Sequence, residues 1–355
     1  MKILHITNVD TVGGTNLNCL HLIRASSADH TLLVLDRPGQ MNDRWSACQV
    51  ELKYLDVLRK SRAAFVDAIG KASGSGYDII LVWCCIRVPL IRYALRRSGG
   101  RVGIHLGNPR RRGRLQDWSV AVQDWILRSQ IQTKFFSCSE YVRNSYQRLY
   151  WRRFENRVIY NPVELECLPA VSPLRDGEVR LRIGMVARMD PIKDFPTFVR
   201  AVRLVRAQVG EVEVELVGDG PQRVELEALV ERLGLSTVIT FIGYVRDVEV
   251  YLARWNVFVY STTECEGLGN ALVEALGSGL PCLASDLPML REIDGGQGLI
   301  DFFRPGDEHD LADKIVKLLR NSAERKGISE LGRQHVLSRH NPSAYAQQVI
   351  EYVGS

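Results

Sequence analysis

Short runs of apolar, often β-branched residues alternate along this chain with longer stretches in which apolar residues recur every three or four positions. The short runs predict buried strands, and the longer stretches predict amphipathic helices. In the first half we predict strands at 3–7, 31–35, 79–84, 101–105, 134–137 and 157–159, with helices such as 63–73 and 88–97 between them. This alternation indicates βαβ units and therefore a parallel sheet.

The same alternation begins again in the second half. Strands are predicted at 181–186, 213–217, 238–242, 257–260 and 281–284, and helices at 196–208, 221–233, 270–277 and 310–320. Residues 161–173 contain three prolines, which is typical of a linker. We therefore predict two α/β domains, at 1–165 and 175–338, and a C-terminal helix at about 340–355 that is a candidate to pack back on the first domain.

Polar residues and glycines follow several of these strands. Open parallel sheets bind ligands beyond the carboxyl ends of their strands, and two such domains create a cleft between those ends. Five segments place such residues there: Gly13-Gly14, His105, Arg188 with Lys193, Gly218, and Glu266. We expect these segments to contribute to one binding region.

Length and composition narrow the class of protein. A chain of 355 residues is longer than a single typical core, and its composition is that of a soluble globular protein. The longest uncharged apolar run, 79–86, is much shorter than the ~20 residues that span a bilayer, and residues 1–9 do not resemble a signal peptide. Eight scattered cysteines without a Cys-x-x-Cys pair argue against a zinc site or a disulfide framework. We expect a cytoplasmic protein.

The net charge of +5 conceals an asymmetry between the two halves. Residues 1–175 carry 26 Lys and Arg against 14 Asp and Glu, whereas residues 176–355 carry 20 against 27. Two basic clusters, 110–114 and 148–154, suit an anionic membrane surface, a lipid-linked pyrophosphate or nucleic acid. The alternative is that these clusters are ordinary solvent-exposed surface without a binding partner. The residues assigned to this basic patch are Arg110, Arg111, Arg112, Arg114, Arg152 and Arg153.

Two glutamates eight positions apart, Glu266 and Glu274, lie on either side of a glycine-bearing turn that opens an apolar stretch. A helix beginning near Leu268 would place Glu274 inward and leave the N–H groups of its first turn open to an anion such as a diphosphate. Two carboxylates beside a phosphate site fit a ligand that also carries hydroxyls, such as a nucleotide sugar. The alternative is one solvent-facing acid and one ordinary helix acid.

These motifs together resemble the retaining glycosyltransferases of family 4. The similar segments are 183–194, 216–221, 241–243 and 266–281, and with their spacing they cover most of residues 181–286. The resemblance implies the GT-B fold, in which two Rossmann-like, doubly wound parallel-sheet domains face each other across a cleft. The first domain would bind the acceptor and the second the nucleotide-sugar donor.

The resemblance also implies roles for residues of the second half. Arg188 and Lys193 would bind the donor diphosphate and neutralise charge on the departing nucleotide without a metal. Glu266 would hold hydroxyls of the transferred sugar, and Glu274 those of the ribose. The other donor-binding positions are Gly218, Gly243, Tyr244, Val245, Gly267, Leu268 and Gly269.

The first half resembles the family less closely. Gly13 and Gly14 would form the glycine loop beside the donor phosphate, but Thr15-Asn16 follows them where the family more usually has an apolar or acidic residue. His105 matches the histidine that the family has at its reaction centre. The alternative is a structural histidine at a strand end.

The function that the resemblance implies is retaining transfer of a hexose-type sugar from a UDP- or GDP-linked donor to a hydroxyl, with no cofactor and no metal. The acceptor would be a glycan or a lipid-linked glycan in surface polysaccharide or glycolipid synthesis, with the enzyme peripheral on the inner face of the membrane. A small soluble acceptor and a sugar-nucleotide epimerase are the alternatives.

Three other classes of protein fit the sequence less well. A phosphorylase of the same fold would carry a cofactor-lysine signature, which this short chain lacks. A dinucleotide oxidoreductase would need Gly-x-Gly-x-x-Gly after the first strand, and residues 12–17 do not contain it. A nucleic-acid-binding protein would explain the arginines but not the acidic second half.

Overall fold

The structure is a computed structural model that describes residues 1–74, 76–83, 88–110, 133–147, 155–164 and 181–355, with the backbone alone for 322–329. The chain divides into two compact units. Unit 1 comprises Met1–Pro162 together with Pro342–Ser355, and unit 2 comprises Val163–Asn341. The predicted proline-rich linker, 161–173, lies outside the described residues from position 165 onward.

Unit 1 contains a seven-stranded sheet in the order β3-β2-β1-β4-β5-β6-β7, with every described pair parallel. Its strands are β1 (Lys2–Thr7), β2 (Asp29–Val34), β3 (Val50–Tyr54), β4 (Ile79–Val82), β5 (Arg101–Leu106), β6 (Thr133–Ser137) and β7 (Asn156–Val158). Its described α-helices are α1 (Gly14–Ala25), α2 (Asn42–Ser46), α3 (Arg62–Ala72), α4 (Val88–Ala94), α5 (Glu140–Gln147) and the C-terminal α13 (Pro342–Gly354).

Helix α13 completes the core of unit 1 although it comes from the far end of the chain. Tyr345, Val349 and Val353 are buried in one apolar cluster with residues of β1, β4 and α1. Gly103 on β5 leaves the space that this helix fills, since a Cβ there would lie 2.6 Å from Val353 Cγ2. The apolar face of α13 is therefore matched to the surface of this sheet.

Unit 2 contains a six-stranded sheet in the order β10-β9-β8-β11-β12-β13, again with every described pair parallel. Its strands are β8 (Leu181–Val186), β9 (Val212–Val217), β10 (Ile239–Gly243), β11 (Val257–Tyr260), β12 (Cys282–Ser285) and β13 (Ile300–Phe303). Its described α-helices are α6 (Phe195–Val209), α7 (Arg223–Arg232), α8 (Glu249–Leu252), α9 (Asn270–Gly277), α10 (Pro288–Asp294), α11 (Glu308–Arg320) and α12 (Ser322–Arg339).

Helix α6 shows how the local sequence sets the boundaries of these elements. The Asp194 side chain caps its first turn by accepting a hydrogen bond from the Thr197 amide at 3.3 Å, and Pro196 occupies the first turn, where no amide hydrogen is needed. Gly210, with φ of 81°, ends the helix in a conformation that favours glycine. The apolar face between these ends is buried with α11 against the sheet.

The prediction of two doubly wound parallel-sheet domains is confirmed, because the strand order reverses once in each sheet, between β1 and β4 and between β8 and β11. Two edge strands, β3 and β13, were not predicted. In β3 exposed and half-buried residues alternate because successive side chains point to opposite faces, and nothing pairs with its outer edge in the described sheet. The predicted strand 79–84 ends at Val82 in the structure, and residues 84–87 lie outside the described part of the chain.

Candidate functional site

The loops after β8 and β11 lie at the point where the strand order of unit 2 reverses. Such a reversal leaves a crevice at the carboxyl ends of the two strands, and open α/β sheets bind ligands there. The two loops are joined by an antiparallel bridge between Lys193 and Thr262 and by a hydrogen bond from the Asp194 amide to the Ser261 carbonyl at 3.1 Å. The backbone therefore brings Lys193 and Glu266 to one place.

Lys193 and Glu266 form a nearly buried ion pair. Their side chains are only 12% and 13% exposed, and Lys193 Nζ donates a hydrogen bond to Glu266 Oε2. Lys193 Nζ also lies 2.5 Å from Tyr260 Oη, and that hydroxyl donates to Glu266 Oε2 at 2.9 Å. The other oxygen, Glu266 Oε1, accepts the Gly267 amide at 3.1 Å. The sequence assigns Lys193 and Glu266 to different parts of a donor, whereas in the structure they bind each other.

Burial shifts the pKa values of Lys193 and Tyr260. Burial lowers the pKa of Lys193 to about 7, while the nearby carboxylate of Asp190 opposes that shift. Burial, followed by the negative charges of Glu274 and Asp190, raises the pKa of Tyr260 far above its usual range. Tyr260 therefore stays protonated near neutral pH. Because the pKa of Lys193 is close to neutral, a bound anion would stabilise its charged form.

Arg188, the other predicted cation, follows β8 but is in a different environment. Its side chain is 67% exposed, and its Nε lies 3.3 Å from Asp190 Oδ2. The negative charge of Asp190 also raises the pKa of Lys193, so this one carboxylate interacts with both cations. An exposed guanidinium can turn toward a ligand with little desolvation, which suits a second phosphate contact.

Gly218 and Gly243 lie at the ends of β9 and β10, where they bring two backbones together. The Gly218 amide donates to the Gly243 carbonyl at 2.8 Å, and both residues have positive φ, 127° and 83°. A Cβ on Gly218 would lie 2.0 Å from the Ala187 carbonyl oxygen, so glycine is required there by the fold itself. Beyond Gly243, Tyr244 is exposed and Val245 is half-buried.

The turn before α9 presents the backbone that was predicted to bind phosphate. Gly269 is the N-cap of this eight-residue helix, with φ of 99°, and a Cβ there would lie 2.9 Å from Tyr260 Cε1. Gly267 and Leu268 are buried in the same turn. Within this turn the Leu272 and Val273 amides donate to the Gly269 carbonyl at 3.0 and 3.3 Å. Glu274 is half-buried on α9, and its charge contributes to the pKa shift of Tyr260.

The glycine loop of unit 1 lies between β1 and α1. Gly13 is the N-cap of α1, and Gly14 is its first residue. With φ of −170° and no atom within 4 Å of a Cβ built on it, Gly13 is not required by local geometry. The unusual Asn16 has a structural task, because its side chain accepts from Thr7 Oγ1 at 2.6 Å and donates to the Val9 and Thr11 carbonyls at 2.8 Å.

His105 lies at the carboxyl end of β5 in unit 1 and is 1% exposed. Its ring packs against Trp83 and Phe136, with both centroid distances at 5.3 Å. Burial lowers the pKa of His105 to about 4, and the influence of the nearby Asn161 side chain opposes that shift. The imidazole is therefore neutral at physiological pH.

The basic patch is described only at its first residue. Arg110 is half-buried and donates its amide to Ser145 Oγ at 3.0 Å, whereas Arg111, Arg112, Arg114, Arg152 and Arg153 lie outside the described residues. Within the described ranges, no helix is long and apolar enough to cross a bilayer. No cluster of three or more His, Cys, Asp or Glu placed to hold a metal occurs among those residues.

Comparison with known proteins identifies the domain that carries this site. The family model for glycosyl transferases group 1 matches residues 180–321, which span the Lys193–Glu266 pair. Residues 180–321 therefore resemble the glycosyl transferases group 1 family. The resemblance read from the sequence is therefore confirmed at the level of this group.

Relatives with similar sequences are glycosyltransferases, most of them from bacteria. The chain is 29% identical over 213 residues to the lipopolysaccharide core biosynthesis glycosyltransferase LpsE of Rhizobium meliloti, covering 58% of this chain and 59% of LpsE. It is 32% identical over 200 residues to the phosphatidyl-myo-inositol mannosyltransferase of Mycobacterium leprae, covering 54% and 51%. The chain thus spans about half the length of the curated relatives it matches.

Solved structures share the fold of the whole chain. HepE of Anabaena, solved in complex with UDP and glucose, superposes with a TM-score of 0.86 over 100% of both chains at 19% identity. The sucrose-phosphate synthase of Thermosynechococcus elongatus has a TM-score of 0.77 over 99% of this chain and 98% of its own. The GT-B fold is confirmed by these similarities.

Two residues of the site were not assigned a role from the sequence. Tyr260 was read only as part of a strand, and Asp190 only as part of a motif. The signal for Tyr260 was available, since it is a polar side chain at the carboxyl end of a strand that is otherwise Val-Phe-Val. Asp190 lies between the two predicted cations, where a carboxylate would influence both.

Proposed function

We propose that this chain is a glycosyltransferase that moves a hexose-type sugar from a nucleoside diphosphate sugar to a hydroxyl acceptor. The observation that carries the proposal is the buried Lys193–Glu266 pair at the strand reversal of a domain that resembles the glycosyl transferases group 1 family. A cation and a carboxylate at one crevice match the two kinds of group on such a donor, a diphosphate and sugar hydroxyls.

The chemistry of the donor site follows from these groups. Lys193 and Arg188 supply positive charge to the diphosphate, and the first amides of α9 supply hydrogen-bond donors. Glu266 accepts hydrogen bonds from hydroxyls of the sugar, and Glu274 from those of the ribose. Because Glu266 is held by Lys193, Tyr260 and the Gly267 amide, it is suited to orient a sugar rather than to attack it.

Retention of configuration and independence from metal are parts of the same proposal. The acceptor hydroxyl attacks on the face that the nucleotide leaves, and the leaving phosphate oxygen takes its proton, so no protein nucleophile is needed. The two cations do for the leaving diphosphate what a metal does in other transferases. His105 of unit 1 is neutral and can accept or donate one hydrogen bond to a substrate hydroxyl.

The proposed acceptor is a lipid-linked or otherwise membrane-presented glycan. LpsE is named for lipopolysaccharide core biosynthesis, which supports this class of acceptor. The +12 charge of residues 1–175 supports reversible attachment to an anionic inner leaflet, where each nearby basic residue contributes about 1 kcal/mol.

A panel of UDP- and GDP-linked sugars tests the proposal. HepE has been solved with UDP-glucose, which makes that donor the first to try. We expect slow hydrolysis of one donor without acceptor, release of a sugar that NMR first detects as the α anomer for an α-linked donor, and no loss of rate in chelator. Inertness toward every donor in the panel, for a protein that is folded by circular dichroism, would refute the proposed activity.

A further inference from the structure

Tyr260 occupies a fixed position beneath the candidate donor site. It is the last residue of β11 and is 2% exposed. Its ring lies against the backbone of Gly269, the N-cap of α9, which has no side chain to displace it. The strand on one side and the helix start on the other leave the hydroxyl little freedom.

The hydroxyl of Tyr260 bridges the two charged groups of the site. An ammonium only donates and an ionised carboxylate only accepts, so the hydroxyl accepts from Lys193 Nζ at 2.5 Å and donates to Glu266 Oε2 at 2.9 Å. Lys193 Nζ also lies 4.6 Å from the ring centroid of Tyr260. Tyr260 therefore contacts both members of the ion pair at once.

Lys193 is required in two places if it also binds the donor. In the structure it donates to Glu266 Oε2, but a diphosphate would draw the same ammonium to itself. When Lys193 turns to phosphate, Glu266 Oε2 loses its charged partner. A buried carboxylate that loses a hydrogen bond pays a desolvation penalty or changes its orientation.

Two other side chains reach Glu266 Oε2 in the described part of the chain, and only one of them can compensate. Thr262 Oγ1 lies 3.5 Å away, beyond the usual range for hydroxyl donors, and its single proton is directed to the Ile192 carbonyl at 3.0 Å. Tyr260 is at 2.9 Å with its proton available for Glu266. Tyr260 therefore remains as a hydrogen-bond donor to Glu266 Oε2 when Lys193 turns to the phosphate.

We propose that Tyr260 is a positioning residue that holds the Glu266 carboxylate toward the transferred sugar while Lys193 moves from Glu266 to the donor diphosphate. This role rests on the proposed glycosyltransferase function, because it needs a ligand that carries both a diphosphate and a sugar. It assigns to Tyr260 an effect on turnover rather than on nucleotide binding.

The test compares Tyr260→Phe with Tyr251→Phe, the same change at a tyrosine of α8 in the same unit that has no role in the site. Phenylalanine keeps the ring against Gly269, so both variants should keep the native fold by circular dichroism. We expect Tyr260→Phe to lower kcat about ten- to hundredfold, as for loss of a hydrogen bond to a charged group, with little change in UDP affinity. Tyr251→Phe should match the wild type.

A second readout does not depend on activity. In protein labelled with ¹³Cε-lysine, NMR follows the titration of Lys193, assigned by its absence in Lys193→Met. Loss of the hydroxyl acceptor should make Lys193 give up its proton at lower pH in Tyr260→Phe than in Tyr251→Phe. Equal titration in the two variants, or equal kcat in an otherwise active protein, would overturn the role of Tyr260. An inactive wild type would instead overturn the proposed function.

Discussion

Raising the pH should weaken nucleotide binding, because it removes the charge of Lys193. Burial lowers the pKa of this residue to about 7 in the ligand-free protein, and the negative oxygens of a bound diphosphate would raise it. Because binding would raise the pKa of Lys193, UDP binds more tightly to the protein in which Lys193 is protonated. Affinity should therefore fall as the pH rises above 7.

The size of the effect follows from the fraction of Lys193 that remains charged. At pH 7 this fraction is about one half, and at pH 9 about one hundredth, since each pH unit above the pKa changes it tenfold. The Kd for UDP should rise about fiftyfold over this interval, which corresponds to about 2 kcal/mol of binding free energy. The terminal phosphate of UDP ionises near pH 6, below this interval, so it does not add to the slope.

Isothermal titration calorimetry between pH 7 and pH 9 measures this directly. Repeating each titration in two buffers with different ionisation enthalpies reports proton uptake, which should approach one proton per UDP at pH 9. Lys193→Met serves as the reference and should bind weakly with a flat profile. A flat profile for the wild type, or the same slope in Lys193→Met, would refute the assignment of Lys193 to the diphosphate.

Four further outcomes are expected. Lys193→Ala and Glu274→Ala should each lower transfer by about 2–4 kcal/mol in activation free energy while circular dichroism stays native, and near-normal rates in both would contradict their roles. Gly218→Ala should lower the free energy of unfolding by at least ~2 kcal/mol in urea titrations, since φ is 127° and the Ala187 carbonyl lies 2.0 Å from the new Cβ; unchanged stability would show that the turn relaxes. Activity should survive chelator, and rescue of a chelated, inactive sample by Mg²⁺ or Mn²⁺ would count against metal independence. The protein should co-sediment with anionic vesicles at low salt but not at high salt, and equal binding to neutral vesicles would remove the membrane proposal.

The architecture could be predicted from the sequence because its signals are local. Apolar runs of strand length alternate with amphipathic stretches, and this pattern alone indicates a parallel sheet in each half of the chain. Two of the four edge strands, β3 and β13, escaped the prediction, whereas β7 and β10 were predicted. In β3, Val50, Leu52 and Tyr54 are only half-buried, and so short an alternation is easily read as a loop.

The candidate site could be located from the sequence but its internal contacts could not. Lys193 and Glu266 each follow a strand, and parallel strands place their carboxyl ends at one edge of a sheet. Which side chains then touch depends on strand order, and only the adjacency of β8 and β11 brings Lys193 to Glu266 and Tyr260. The low pKa of Lys193 is likewise a product of burial by segments far apart in the chain.

The sequence by itself determined the two α/β domains and the residues at strand ends, since each depends on neighbours within a few positions. The tertiary structure decided the rest. It brought α13 onto the sheet of unit 1, gave Asn16 a structural task, buried His105 between Trp83 and Phe136, and paired Lys193 with Glu266. Those contacts join residues separated by many positions, and the free energy of such contacts depends on burial, which no local pattern specifies.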